Sequence, residues 1–398
     1  MRANKNDPIV ISAARRTPLG AFMGALSGVS APGLGAAAIR AAVNDAGMPV
    51  EAVSEVLMGC VLPAGLGQAP ARQAARGAGL PDAAGASTVN KVCGSGMKAV
   101  MLGHDLLRAG TARIVVAGGM EAMSRAPFLL RDMRGGHKAG SAEVLDHMML
   151  DGLEDAYDKG RPMGQFGEAA AQQFGFGRPA QDIYAMETLQ RAQTAVETGA
   201  FDAEYVPVTV PGRRGDLVVS RDERPAQVDP EKIPSLRSAF GDGGTITAAS
   251  SSANADGAAA LVLTRESVAQ AEGMPVMARI LGHATHSQDP AWFTTAPIPA
   301  IRKLLAQVGW TAEDVDLWEI NEAFAVVAMA AAEEIGIARA RLNVNGGACA
   351  LGHPIGATGA RIIVTLLHAL KARGLRRGIA CLCIGGGEAT AIAVELAS

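Results

Sequence analysis

Cys93, His353 and Cys383 each sit among glycines, and that company gives their side chains chemical reach. Cys93 lies in Asn90-Lys91-Val92-Cys93-Gly94-Ser95-Gly96. The segment that follows repeats Met97, Val100, Met101 and His104 at the three- and four-residue spacing of a helix. A thiol on the turn that opens a helix faces unpaired N–H groups and the positive end of the dipole, and both favour thiolate. A free thiol of pKa about 8.5 is only a few per cent ionised at neutral pH, so such tuning matters to a nucleophile. An isolated cysteine also fits a small core residue, and both readings stand on these residues alone.

His353 belongs to Gly352-His353-Pro354-Ile355-Gly356, an irregular loop by its glycines and proline. A ring held there serves as a general base, as the partner of a thiolate, or as a structural hydrogen-bonder. Cys381 and Cys383 share one face of an expected strand, and Gly385, Gly386 and Gly387 follow. A metal site built on this Cys-x-Cys pair would call for a second pair at finger-like spacing, which the chain lacks, so no metal ligand set is expected. Asn321, in Ile320-Asn321-Glu322-Ala323-Phe324, stands between an apolar strand and an Ala-rich helix. It fits a helix N-cap as well as an amide that holds a water in an active site.

The elements that must carry these residues alternate. Strands are expected over residues 9–11, 54–60, 113–117, 276–281, 315–320 and 379–384, and helices over 29–46, 97–107 and 361–370. That rhythm favours α/β layers. Two units resemble each other: the turn at Cys93 leads through a helix to an apolar strand ending in Gly118-Gly119. Likewise Ala357-Thr358-Gly359 leads through a helix to a strand ending in Gly385-Gly386. An internal duplication is the reading. Residues 121–250 differ in texture, being Met-rich, charged and broken by Gly and Pro, and read as a long loop insertion that covers something. The expected division is residues 1–120 with 251–274, residues 121–250, and residues 275–398.

The net charge of −3 gives no reason to expect nucleic acid or an anionic membrane as partner. Five scattered cysteines suit reduced thiols rather than a disulfide framework. No apolar run reaches the roughly 18–20 residues of a membrane span. Residues 1–16 lack the marks of a secretory leader, so a cytoplasmic protein is expected.

Four motifs in order now carry a resemblance: Asn-x-x-Cys-Gly-Ser-Gly, Asn-Glu-Ala-Phe, Gly-His-Pro-x-Gly-x-x-Gly-Ala-Arg and Cys-x-Gly-Gly-Gly. Together they resemble the thiolase family over nearly the whole chain. The resemblance implies five layers, αβαβα, from two duplicated domains with an inserted loop domain. It implies that Cys93 becomes acylated, that His353 takes its proton, and that Cys383 handles the α-proton of acetyl-CoA. His353 with a water on Asn321 would hold one oxyanion, and the N–H groups of Cys93 and Gly385 another. Ser252 and Met163 would line the pantetheine arm of coenzyme A, although Pro162 stands where short-chain relatives often carry histidine. Phe293 and Phe324 would border the substrate, and Arg224 either meets the nucleotide end or is a solvated loop charge. The implied reaction is reversible condensation of two acetyl-CoA to acetoacetyl-CoA and CoA, with no cofactor. The alternative is a 3-ketoacyl-CoA thiolase of longer chain length in β-oxidation. A ketoacyl synthase-like enzyme would lack the second thiol, and a silent scaffold would tolerate loss of a reactive residue. The resemblance further implies a homodimer or homotetramer, the latter through residues 131–140.

Overall fold

The computed structural model describes residues 7–213 and 215–397, so the leader reading of residues 1–6 lies outside it. The main strands are β1 (Ile9–Arg16), β2 (Glu55–Gly59), β3 (Gly85–Val89), β4 (Ile114–Ala122), β5 (Ala255–Arg265), β6 (Ala278–Ser287), β7 (Leu317–Ile320), β8 (Arg377–Ile384) and β9 (Glu388–Leu396). The helices that pack on them are α1 (Ala31–Asp45), α2 (Pro70–Gly77), α3 (Ser95–Ala109), α4 (Met163–Phe174), α5 (Arg178–Glu197), α6 (Pro297–Val308), α7 (Ala325–Ile335) and α8 (Thr358–Ala372). Local chemistry sets their ends. Ser30 caps α1 by accepting from Gly33 N at 3.2 Å, with proline in the first turn. Gly110, at φ 79°, stops α3.

The strands run β7-β8-β9-β6-β1-β5-β4-β2-β3. In the first half β2 is parallel to β3 and β4, while β5 is antiparallel to β4 and β1. The second half repeats this: β7 is parallel to β8, and β9 is antiparallel to β8 and β6. The expected duplication is thus visible in strand direction as well as in motif. The halves join where Ile9, Val10 and Ile11 pair with Ile280, Arg279 and Ala278.

Alternation along each strand builds five layers. Val56, Met58, Val116 and Val262 face α1 and α2 in one core. Their neighbours Leu57, Val115, Leu261 and Leu263 face α3 and α8 in a second, which also receives Leu382, Ile392 and Val394 from the other half. Ile379, Cys381, Ala391 and Ala393 face α6 and α7 in a third. The two middle helices cross almost backbone to backbone. A Cβ on Gly359 would lie 2.4 Å from Met97 N, and one on Gly96 would lie 2.8 Å from Ala360 N. Only glycine permits that approach, and it draws the start of α3 up to the loop before α8.

The structure corrects two expectations. Residues 121–250 are not a structureless loop, since they hold the 12-residue α4 and the 20-residue α5. Gly175 stops α4 and Pro179 opens α5, while Gly164 and Gly167 sit inside α4, where a Cβ on Gly164 would lie 2.3 Å from the Phe240 ring and one on Gly167 would lie 2.6 Å from Ile246. Nor does the strand of the first unit stop at its paired glycines; β4 runs through Gly118 and Gly119 to Ala122. The glycines serve close approach there, because a Cβ on Gly119 would lie 2.1 Å from Gly356 O. Among the described residues no helix is long and apolar enough to cross a membrane.

Candidate active site

Cys93 sits two residues ahead of α3 on a tight turn. Lys91 O accepts from Gly94 N at 3.0 Å, and Val92 O accepts from Ser95 N at 3.1 Å. The Ser95 hydroxyl clamps the turn by donating to Val92 O at 2.7 Å while accepting from Lys91 N at 2.8 Å. Val92 itself is held at φ 47°, a left-handed conformation that costs a β-branched residue energy. Lys91 Nζ also donates to Glu388, tying the turn to β9.

The Cys93 sulfur is half-buried, and its pKa is pushed up to about 11. Burial is the larger cause, opposed by the neighbouring backbone amides of Gly385 and of Cys93 itself. The expectation of a stabilised thiolate therefore reverses, because loss of water outweighs the amides at the helix start. Cys383 is fully buried at the end of β8, its pKa raised well above the ordinary range by burial and then by the neighbouring sulfurs of Cys93 and Cys381.

His353 is buried with its backbone N–H on Ala253 O at 2.8 Å. Its Nδ1 lies 2.6 Å from the Thr358 hydroxyl, which is also 3.0 Å from Pro354 O. The hydroxyl has one proton to give, and Pro354 O can only accept. Thr358 therefore donates to Pro354 and accepts from Nδ1–H, leaving Nε2 with its lone pair. Nε2 has no partner among the described residues. Burial and then Arg361 lower the His353 pKa to about 3, so the ring is neutral. With Nε2 bare the ring can take up a proton, but the same burial makes it a weak base until negative charge develops beside it.

The loop carrying His353 is fixed by a residue the motifs did not single out. Glu121, fully buried on β4, accepts from Gly356 N at 2.9 Å, Val61 N at 2.9 Å and Leu62 N at 3.2 Å. Burial pushes its pKa up to about 7 against the pull of those amides. Thr358 was likewise missed as a functional residue. The presence of Thr358 one turn past His353 is the only signal the sequence carries for it.

Asn321 does not cap a helix, since α7 begins at Ala325 with Phe324 as its N-cap. Its backbone N–H bonds Cys381 O at 3.0 Å, while its buried Oδ1 and Nδ2 have no partner among the described residues. An orphaned buried amide calls for an explanation, and one that receives a ligand or water supplies it.

A cleft of about 240 Å³ is lined by Met163, Phe240, Ser252, Phe324 and His353. Met163 leads inward, because a Cβ on Gly385 would lie 3.3 Å from its Cε. Phe324 packs edge-on to Phe240 at 5.7 Å. Phe293 is fully buried behind the cleft, edge-on to Phe166 at 6.1 Å and in one apolar cluster with Cys383. Arg224 is half-buried, its guanidinium 3.5 Å from Ala248 O, and it is not among the residues lining the cleft. The structure thus brings together Cys93, His353, Cys383, Gly385, Met163, Ser252, Phe324 and Phe293, with Arg224 not part of the cleft lining.

Comparison with known proteins accounts for this arrangement. Residues 9–267 match the family profile "Thiolase, N-terminal domain" and residues 274–396 match "Thiolase, C-terminal domain". The acetyl-CoA acetyltransferase of Cupriavidus necator is 48% identical over 98% of this chain and 99% of its own length. That of Pseudomonas aeruginosa is 46% identical over 96% and 98%. Among solved structures, the Bacillus anthracis acetyl-CoA acetyltransferase matches at TM-score 0.95 and 40% identity, covering 98% of this chain and 99% of that one. The Acat5 thiolase from Ascaris suum, solved in complex with coenzyme A, matches at TM-score 0.93 and 42% identity over 98% and 100%. Two family profiles that together span residues 9–396 with one short break, and relatives matched from end to end, place the chain in the thiolase family.

Proposed function

We propose that this thiolase acts as an acetyl-CoA C-acetyltransferase, joining two acetyl-CoA to acetoacetyl-CoA and CoA, and running the reverse thiolysis. The observation that carries the reading is a pair of neighbouring sulfurs, Cys93 at the start of α3 and Cys383 at the end of β8, with the Gly385 backbone amide adjoining Cys93.

Cys93 starts as a thiol. As its sulfur attacks the acetyl thioester, the proton passes to His353 Nε2, and the oxyanion meets the N–H groups of Cys93 and Gly385. Losing one donor of this kind typically costs about 10²–10³ in turnover. The departing coenzyme A thiolate takes the proton of Cys383. The resulting Cys383 thiolate is strongly basic for the same reason its pKa is high, as removal of a thioester α-proton requires. It deprotonates the second acetyl-CoA, whose enolate oxygen lies between protonated His353 and a water held by the amide of Asn321. The enolate carbon attacks the acyl group on Cys93, the Cys93 thiolate leaves, and His353 returns its proton. Coenzyme A thioesters are substrates here, and no cofactor enters the reaction.

Ser252, Met163 and Phe324 line the approach for the pantetheine arm, and buried Phe293 closes the acyl end. Arg224 has no part in this reading. Residues 1–120 with 251–274 and residues 275–398 form the two catalytic domains, with 121–250 as the cover. The exposed apolar side chains Phe128, Met133 and Val144, near the 131–140 segment, support assembly as a homodimer or homotetramer of a cytoplasmic enzyme.

Incubation with radiolabelled acetyl-CoA tests the core of the reading. The wild type retains acetyl label through denaturation and Cys93→Ala retains none; label on the Cys93→Ala protein overturns the assignment. Thiolysis of acetoacetyl-CoA outpaces that of a longer 3-ketoacyl-CoA, and comparable or better rates on the longer chain remove the short-chain claim in favour of a broader thiolase.

A further inference from the structure

Far from the sulfur chemistry, α3 and β6 bring two histidines and an aspartate to one point. His104 Nδ1 and Asp105 Oδ1 are 3.0 Å apart, His283 Nε2 and Asp105 Oδ1 are 3.0 Å apart, and the two ring nitrogens are 3.3 Å apart. His104 lies nine residues into α3, about 14 Å along the axis from the helix start beside Cys93. The three side chains line a groove of about 430 Å³ at the seam between the two halves of the molecule. Among the described residues they are the only His, Cys, Asp or Glu group with a ligand geometry of this kind.

A backbone irregularity aims His283 at its partners. Ile280 pairs with Val394, but Gly282, not Leu281, pairs with Ala393, so Leu281 is an extra residue in β6. Because strand side chains alternate, one inserted residue moves everything beyond it to the opposite face. His283 consequently pairs with Ile392, whose side chain faces the middle layer that contains α3. Without the bulge it would pair with Ala391 and face α6.

We propose that His104 Nδ1, His283 Nε2 and Asp105 Oδ1 form a binding site for a divalent cation of the Zn²⁺ class. Zn–N and Zn–O bonds of about 2.0–2.2 Å in tetrahedral geometry set ligand atoms roughly 3.3 Å apart, which matches the 3.3 Å edge between the rings and lies close to the two edges of 3.0 Å. Hydrogen bonding alone fits less well. Both ring nitrogens can donate to the carboxylate, but the third edge then sets two donors face to face. A cation satisfies the three edges together. Two imidazoles and one carboxylate are borderline-soft ligands that suit zinc over magnesium or calcium. Arg108, one turn along α3, opposes the ion with its charge. The carboxylate is half-exposed, so the fourth position opens to water. Bound there, the ion clamps α3 of the first half to β6 of the second.

The test uses the full chain stripped of metal and titrated with Co²⁺ and Zn²⁺. One Co²⁺ binds per chain with visible d–d absorption of tetrahedral intensity and no sulfur-to-cobalt charge-transfer band, and Zn²⁺ displaces it. His283→Ala and Asp105→Asn each weaken binding by about 10²-fold, since even residues that only support metal ligands contribute 10–100-fold. His286→Ala, on the same strand but outside the cluster, binds as the wild type does. Zn²⁺ raises the melting temperature of the wild type and leaves that of Asp105→Asn unchanged. Absence of binding at about 100 µM metal overturns the proposal, as does a thiolate charge-transfer band or unchanged affinity in both site variants.

Discussion

Thr358→Val isolates how His353 is kept ready as a base. Valine has nearly the shape of threonine but presents a methyl where the hydroxyl accepts the Nδ1 proton at 2.6 Å. Both residues are buried, so the abandoned N–H finds no water. A buried donor left without its acceptor costs about 1–3 kcal/mol. That energy is also the bias toward the tautomer with a bare Nε2, so its loss corresponds to about 5–150-fold in the competent population. Turnover in thiolysis of acetoacetyl-CoA, followed by the loss of its enolate absorbance, therefore falls about tenfold to a hundredfold. KM changes little, because Thr358 lies behind the ring and is not part of the cleft lining. Thr358→Ser keeps the oxygen and restores most of the rate, which separates the tautomer effect from a packing effect. A Thr358→Val enzyme within about threefold of wild-type turnover would refute the tautomer argument. Equal damage from serine would do the same.

The remaining predictions concern the sulfur, the amide and the helix crossing. With its pKa near 11, Cys93 is about 10⁻⁴ thiolate at pH 7, and a raised thiol pKa makes reactivity grow with pH. Alkylation of the free enzyme by iodoacetamide should rise about tenfold per pH unit from 7 to 10; a plateau below pH 8.5 would mean that the helix start dominates after all. Asn321→Ala lowers turnover by about 10²–10³ yet changes urea stability by no more than about 1 kcal/mol, because the amide it removes has no partner among the described residues. Gly359→Ala puts a carbon 2.4 Å from Met97 N and should cost about 2 kcal/mol or more, whereas Gly135→Ala, with open space around it, should stay within about 0.5 kcal/mol.

The candidate reactive side chains were readable in the sequence because glycine-flanked Cys and His residues are local signals. The repeated turn–helix–strand unit made the duplication readable for the same reason. What it could not supply was anything set by residues far apart. Glu121 grips Gly356 across 235 positions, and nothing near either residue announces the contact. His104 read as one more position on the apolar face of a helix, and its meeting with His283 depends on a single bulge in a strand 179 residues away. The ionisation of Cys93 failed in a different way. The helix start that favours thiolate is local and legible, but the burial that overrides it comes from the core between the two halves, against which Cys93 packs.

Why the fold carries one domain twice follows from the chemistry required. A helix start offers free amides, which suit an oxyanion, but one helix start cannot also place a base opposite its own nucleophile. Crossing two such starts solves this, since each half delivers its own turn to the same spot. The first contributes Cys93 with its amide, and the second contributes His353, with Thr358 in the opening turn of α8 holding the ring. The strand that follows α8 then returns Cys383 and the Gly385 N–H to the same sulfur. Approach this close demands that the crossing have no side chains, so Gly96 and Gly359 set the distance over which acyl and proton transfer must work. On this argument catalysis is sensitive to the separation of the halves, and a cation clamping α3 to β6 at the far end of the same helix would act on that coordinate without touching a reacting atom.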